Sequence, residues 1–186
     1  SGVDVLREAI TGVDQVKADL AGRRVPHNAN IPLGCMIEVP GAVEMAPELA
    51  ALCQFFSIGT NDLIQYCLAV DRTNERTAHL YDSGHPAVLR MLKRTLEAAR
   101  KAGIGCSICG EMAGDPALIE LLVGMGFEEL SMSSVSLPGV RAEIAALKLP
   151  VAKRFASKAL RAQSASDVTA LLAEPALDFP PVPSVA

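Results

Sequence analysis

The sequence predicts an α/β fold in which four parallel strands alternate with helices. Two observations lead to this prediction. Apolar runs of strand length alternate with longer segments in which apolar residues recur at helical spacing. The runs are also nearly continuous in apolar residues, which is typical of parallel strands that are covered on both faces.

Glycine and proline mark most of the boundaries between the predicted elements. Gly22 ends the first helix, Pro40-Gly41 breaks the first strand, and Pro86 suits the first turn of a long helix. Asp115-Pro116 is a good amino cap for the helix after the third strand. In chain order we predict a helix over 3–20, a strand over 31–39, a helix over 42–52, a strand over 55–58, a helix over 63–70, a loop over 71–84, a helix over 86–103, a strand over 104–109, a helix over 115–124, a strand over 130–132, and helices over 136–147, 151–161 and 167–174.

The composition fits one domain, or a large piece of one, with a sizeable core. Of 186 residues, 50% are hydrophobic and 20% are charged, and the formal net charge of −4 argues against a nucleic-acid surface. No apolar stretch approaches the ~20 residues of a membrane-spanning helix. The five cysteines are an odd number in apolar runs, which is typical of reduced thiols, so we expect a cytoplasmic protein. We expect a barrel region over 1–150, terminal helices over 151–175 and a proline-rich tail over 176–186.

Each predicted strand ends in residues that do not suit a core. Glu38 follows the first strand, Asn61-Asp62 the second, Cys109-Gly110-Glu111 the third, and serines, among them Ser131, surround the fourth. The carboxyl ends of parallel strands face one crevice in α/β folds, so these residues predict a single site. Eight strands close such a barrel and only four are found. We therefore expect the second half of a (β/α)8 barrel, with the rest upstream of Ser1.

Two acidic residues at neighbouring strand ends predict a metal site. Glu38 alone is as typical of a structural ion pair as of a metal ligand. Asp62, in Gly59-Thr60-Asn61-Asp62, brings a second carboxylate to a strand ~4.8 Å away. Two carboxylates with substrate oxygens and waters are the usual way to hold Mg²⁺, and a helix starting near Asn61 would suit a phosphate. Taken alone, the same four residues are typical of a turn and helix cap.

Arg72 and Cys109 each allow two interpretations. Arg72 follows a short helix, where a guanidinium either binds a carboxylate or phosphate or is simply solvated. Cys109 ends a strand and is either a small hydrophobe or an acid–base thiol tuned by Glu111 or a cation. Cys106 and Cys109 also form a C-x-x-C pair. No second pair follows and no histidine stands at zinc-finger spacing, which disfavours redox or zinc chemistry.

Four separated motifs resemble enzyme I of the bacterial phosphotransferase system in their order and spacing. The resemblance runs over about residues 1–147 and includes the segments around 79–82 and 129–133, whereas the last 40 residues share only a helical pattern. The motifs are GCMIEVP at 34–40, FSIGTNDL at 56–63, LAVDR at 68–72 and CGEMAGD at 109–115.

The resemblance implies a (β/α)8 barrel that binds phosphoenolpyruvate (PEP) and Mg²⁺ and forms a homodimer. The net charge and the lack of a long apolar stretch predict no nucleic-acid or membrane partner. In this family the phosphoryl group passes from PEP to a histidine on a separate domain and then to the phosphocarrier HPr. By motif match, Glu38 and Asp62 would hold Mg²⁺, while Asn61, Asp62 and Arg72 would contact PEP. Cys109 would exchange the proton at the enol carbon. The family's other PEP-binding arginines and its acceptor histidine have no match here, so we expect the isolated chain to be inactive.

Three alternatives accompany this interpretation. Pyruvate phosphate dikinase and PEP synthase share the Glu, Asn-Asp and Cys-Gly pattern, but segments 68–72 and 109–114 are more similar to enzyme I. A magnesium-dependent lyase of the citrate-lyase or aldolase kind needs paired carboxylates but no acid cysteine, so Cys109 disfavours it. A non-catalytic dimerisation or ligand-sensing fragment stays open because half of the barrel is missing. Both the sugar-uptake and the nitrogen-regulatory branch of the system fit the sequence.

Overall fold

The protein has an α/β architecture in a computed structural model that describes residues 2–173. Four strands form one parallel sheet in which consecutive strands are neighbours, as in part of a β/α barrel. The predicted fold class and all four predicted strands are therefore confirmed. The strands are β1 Gly34–Ile37, β2 Phe55–Gly59, β3 Gly105–Cys109 and β4 Glu129–Ser131.

The helices follow the predicted order with three differences. The helix predicted over 42–52 is divided at Met45, because Pro47 cannot continue a helix from the preceding turn. The next helix begins at Thr60 rather than at residue 63, and the loop over 71–84 contains a 3-10 turn, Ala78–Leu80. The helices are α1 Val3–Gly22, α2 Pro40–Glu44, α3 Ala46–Ala50, α4 Thr60–Leu68, α5 Pro86–Ala102, α6 Pro116–Met125, α7 Leu137–Ala146, α8 Leu149–Ala159 and α9 Ala165–Ala173.

Within residues 2–173, helices cover only one face of the sheet, as expected when four strands form half of a barrel. The covered face buries Ile37, Phe56, Ile58 and Ile108, all with no exposed surface. The opposite side, called the open face here, carries the alternate residues, among them Phe55, which is 40% exposed. Four strands cannot close on themselves, so the side that a complete barrel turns inward stays uncovered. The residues of the open face are Gly34, Met36, Phe55, Ser57, Gly59, Gly105, Ser107, Cys109, Glu129 and Ser131.

The two ends of the open face differ in chemistry. At the amino end, the ring of Phe55 fills the space that a side chain at Gly34 would take, so this end is apolar. At the carboxyl end, Cys109 and Ser131 lie side by side in register. The candidate site is therefore confined to the carboxyl edge of the sheet.

The helices after residue 150 share the core with the rest of the chain. Helix α8 packs closely on α6 at Gly124. Any larger residue at this position would collide with the carbonyl of Ala152. Ala156, Ala159 and Val168 belong to the central cluster of buried residues. The division predicted near residue 150 stays a prediction, and the predicted tail over 176–186 lies outside the described residues. Among residues 2–173, no helix is both long and apolar enough to cross a membrane.

Candidate active site

The carboxyl edge of the sheet places the two predicted metal ligands around Gly59. Glu38 directly follows β1, and Gly59 is the last residue of the neighbouring strand β2. A side chain at position 59 would lie 3.1 Å from Glu38 Oε2, so this carboxylate lies against the glycine. Asp62 belongs to the first turn of α4, which begins one residue after Gly59. Both carboxylates are half-buried.

The chemistry of this pair fits a magnesium ion. Mg²⁺ prefers hard oxygen ligands and is usually held by one or two carboxylates, with substrate and water oxygens completing the octahedron. No group of three histidine, cysteine or carboxylate side chains converges anywhere in residues 2–173. If Glu38 and Asp62 hold the ion together, small molecules would fill its other positions.

The first turn of α4 presents backbone N–H groups at the same edge. The N–H groups in the first turn of a helix have no partner within the helix. The N-cap residue here is Gly59, which has no side chain to bind them. These groups lie at the positive end of the helix dipole, which favours anions. The earlier start of the helix brings Thr60, Asn61 and Asp62 into this turn.

Cys109 lies on the open face and is tied to the first turn of α4 by side chains. It is in register with Gly59 of β2 and with Ser131 of β4. The hydroxyl of Thr60 donates to the Cys109 carbonyl oxygen at 3.0 Å. Asn61 Oδ1 accepts a hydrogen bond from the Glu111 N–H at 3.0 Å. Two hydrogen bonds thus connect the start of α4, which contains the predicted residue Asn61, to the backbone around the predicted residue Cys109.

Arg72 reaches the site from the loop after α4. The chain leaves the helix through Ala69, which has a left-handed conformation with φ of 53°. Gln65 Oε1 then accepts from the Arg72 N–H at 3.3 Å. The Arg72 Nη1 atom lies 3.7 Å from Glu111 Oε1, so the guanidinium faces the segment that follows β3. Arg72 is therefore near Glu111 rather than simply solvated.

Tyr81 is a half-buried residue between these charged groups. Its hydroxyl donates to the Asn61 carbonyl oxygen at 3.4 Å. Burial raises the pKa of this hydroxyl; Arg72 opposes the shift, and the carboxylates of Glu111 and Asp62 reinforce it. The hydroxyl therefore stays protonated at neutral pH and remains a hydrogen-bond donor.

A cavity of about 590 Å³ opens beside Cys109, within the usual size range of small-molecule sites. Its lining includes Asn61 from the start of α4, Glu111 after β3, and Ser131 and Ser133 around the end of β4. Glu38, Asp62 and Arg72 lie outside this lining. The cavity therefore lies at the part of the carboxyl edge nearest β3 and β4. The carboxylates of Glu38 and Asp62 lie at the part nearest β1 and β2.

Sequence analysis gave no role to Thr60 or Tyr81. The sequence predicts an ordinary turn at Thr60, yet this residue is completely buried and makes a hydrogen bond to a residue 49 positions away. Tyr81 lies in the segment 79–82, for which the sequence predicts no specific contact. The available signal was the position of Thr60 directly after a strand-ending glycine, where a side chain points toward the neighbouring strand.

Comparison with known proteins shows a family match over most of the chain. A family profile described as "PEP-utilising enzyme, PEP-binding domain" matches residues 1–149. The chain is 41% identical over 172 residues to "Phosphoenolpyruvate-protein phosphotransferase" of Haemophilus influenzae, an alignment that covers 92% of this chain and 30% of that protein. A protein of the same name from Haloferax volcanii is 44% identical over 172 residues, with the same two shares.

A third protein of this name, from Bacillus subtilis, is 41% identical over 167 residues, which cover 90% of this chain and 29% of the relative. The chain thus spans about 30% of the length of the curated relatives it matches.

Proposed function

Because this chain belongs to the PEP-utilising enzymes through the PEP-binding domain that matches residues 1–149, we propose that it is the PEP- and magnesium-binding region of a phosphoenolpyruvate-protein phosphotransferase. Its similarity to proteins of that name supports the proposal. One observation carries it: Glu38, Asp62 and Cys109 follow or end three neighbouring parallel strands at a single edge.

The side chains at this edge suit the removal of a phosphoryl group from PEP. Arg72, released from Glu111, would bind an anionic oxygen of PEP through charge-assisted hydrogen bonds. The N–H groups at the start of α4 would bind another oxygen. Glu38 and Asp62 would hold Mg²⁺, which when bound supplies positive charge to the enolate oxygen that forms as the phosphoryl group leaves.

Cys109 would complete the reaction on the carbon side. Its thiol proton would go to the methylene carbon of the enolate, where the electron pair of the carbon–carbon double bond would form the new C–H bond. The enolate oxygen would then form the carbonyl of pyruvate, and the resulting thiolate would regain a proton from solvent. The reverse reaction would follow the same path. The position of Cys109 on the open face, beside the cavity, is what this role requires.

The rest of the phosphotransfer belongs to the larger protein. We propose that the phosphoryl group passes to a histidine on another domain and then to an HPr-type carrier, and that the protein is a cytoplasmic homodimer. The reduced state expected of its five cysteines supports that location.

Substitution of the two carboxylates tests the metal site. Glu38→Gln and Asp62→Asn should each lower Mg²⁺-dependent phosphorylation by PEP at least about 100-fold, because each removes a charged oxygen at the developing negative charge. The measurement is incorporation of labelled phosphate into a full-length phosphotransferase that carries this segment, with the melting temperature recorded in parallel. Glu48→Gln, an exposed carboxylate in α3, is the matched control. Unchanged metal dependence in both site variants would contradict the proposal.

A further inference from the structure

The backbone after Cys109 has a conformation that only glycine readily adopts. Gly110 has φ of 130° and ψ of −174°, a region that is strained for any other residue. A side chain at this position would lie 2.5 Å from Thr60 Oγ1 and 2.9 Å from Asn61 Oδ1. The two side chains from α4 therefore lie directly on the Gly110 backbone.

The same segment is held from both sides. On the α4 side, Thr60 binds the Cys109 carbonyl and Asn61 binds the Glu111 N–H, so one hydrogen bond lies on each side of Gly110. On the other side, the Gly110 N–H donates to the Ser131 carbonyl oxygen at 3.4 Å. Thr60 is fully buried, so its hydroxyl has no water to exchange for this bond.

We propose that Thr60 is a positioning residue for Cys109, acting through the backbone of residues 109–111. A hydrogen bond to the Cys109 carbonyl fixes the peptide plane next to its Cα, and that plane sets the direction of the Cα–Cβ bond and of the thiol. This proposal rests on the proposed role of Cys109 as the acid. The Thr60 side chain is fully buried and bonded to the Cys109 carbonyl, so the loss of its hydroxyl should affect proton transfer and not substrate binding.

The hydrogen bonds from Thr60 and Asn61 to residues 109–111, called the clasp here, also show which side-chain atom of Asn61 faces this segment. A backbone N–H can only donate, so the Asn61 atom facing Glu111 is the oxygen, and the amide NH₂ is the part left for a ligand. Asn61 would then serve two purposes, with its oxygen holding the loop and its nitrogen directed elsewhere. Thr60 has only the first purpose, which makes it the cleaner residue to test.

The test compares Thr60→Val, which keeps the shape but loses the hydroxyl, with Thr60→Ser, which keeps the hydroxyl. In a full-length phosphotransferase carrying this segment, Thr60→Val should slow pyruvate formation about 10- to 100-fold, the scale expected when a catalytic group is displaced by up to 1 Å. The KM for PEP and the single-turnover rate of protein phosphorylation should stay within about threefold. Thr60→Ser should restore pyruvate formation to within about threefold of the wild-type rate.

Thr95→Val is the matched control. Thr95 is also fully buried and also donates to a carbonyl, that of Met91 at 3.0 Å, but it lies in α5 away from the site. Thr95→Val should lower the melting temperature about as much as Thr60→Val does. Unlike Thr60→Val, it should leave pyruvate formation unchanged.

The outcomes separate the positioning role from the acid role. Normal turnover in Thr60→Val together with slow turnover in Cys109→Ala would overturn the positioning role and keep the acid role. Normal turnover in both would overturn the acid role as well. A raised KM with equal loss of phosphorylation and pyruvate formation would assign Thr60 to substrate binding, against this proposal.

A second variant keeps the proposal testable if Thr60→Val does not fold. The methyl group of Gly110→Ala would collide with the side chains of Thr60 and Asn61, so this variant should also slow pyruvate formation. Gly103→Ala is its control, because Gly103 also has positive φ, 72°, but a side chain there would meet nothing within 4 Å. Equal pyruvate formation in these two alanine variants would contradict the proposal.

Discussion

Cys106 and Cys109 point to opposite faces of β3 although only two residues separate them. Cys106 is in register with Phe56 on the helix-covered face, and Cys109 is in register with Gly59 on the open face. Side chains alternate along a strand, so an offset of three places two residues on different sides. A disulfide between them would require the strand to be broken. This geometry agrees with the expectation from sequence that the C-x-x-C pair is not a redox couple.

The two cysteines should respond differently to substitution. Cys109→Ala should lower turnover to pyruvate by about 10² to 10⁴, the usual contribution of a general acid, with PEP affinity changed only a few fold. Cys106→Ala should cost ~1 kcal/mol of stability and leave turnover nearly normal. The measurement is steady-state pyruvate formation, with PEP binding followed separately. Near-normal turnover in Cys109→Ala would remove the acid role and favour a plain metal-dependent lyase.

The burial of Cys106 should make stability depend on alkaline pH. Burial raises the pKa of this thiol from 9.0 to about 12, against a smaller opposing effect of Arg100. The unfolded chain then releases this proton before the folded protein does. The thiol's contribution to stability is therefore complete below pH 9 and is lost as the pH rises toward 12.

The check is the melting temperature of the wild type and of Cys106→Ala between pH 8 and pH 11. The wild type should lose more of its melting temperature over this range, because alanine cannot ionise. Parallel curves would show that Cys106 does not titrate as its burial predicts.

Arg72 should matter for PEP binding and little for folding. Arg72→Ala should raise the KM for PEP about 10- to 100-fold, since a charge-assisted hydrogen bond to an anionic oxygen is lost. Glu111→Gln should lower that KM slightly because the carboxylate no longer competes for the guanidinium. Glu111 is 81% exposed, so the ion pair contributes little to stability and both variants should melt near the wild-type temperature.

Arg76→Ala is the control for Arg72, since Arg76 is an exposed arginine in the same loop. Steady-state kinetics over a range of PEP concentrations distinguishes the variants. Equal KM values for Arg72→Ala and Arg76→Ala would mean that Arg72 does not bind the substrate.

The strands and their endings were predictable because their signals are local. A run such as 55–58 is apolar along its whole length, and the glycine after it breaks the pattern. Parallel topology then implies that Glu38, Asp62 and Cys109 share one edge, as the structure shows. These runs do not show what covers the open face, because an apolar strand has the same sequence whether its second face meets helices or other strands of a barrel.

Residue types and short spacings suffice to predict the order of the elements, the chemistry at the strand ends and the resemblance to a PEP-binding family. They do not show which atoms meet, because those contacts depend on how the chain folds. The hydroxyl of Thr60 binds the carbonyl of Cys109, and Arg72 faces Glu111. The physical reason is register: the face on which a side chain lies, and the residue opposite it, depend on how the strands pair, and one residue of slippage would reverse every assignment.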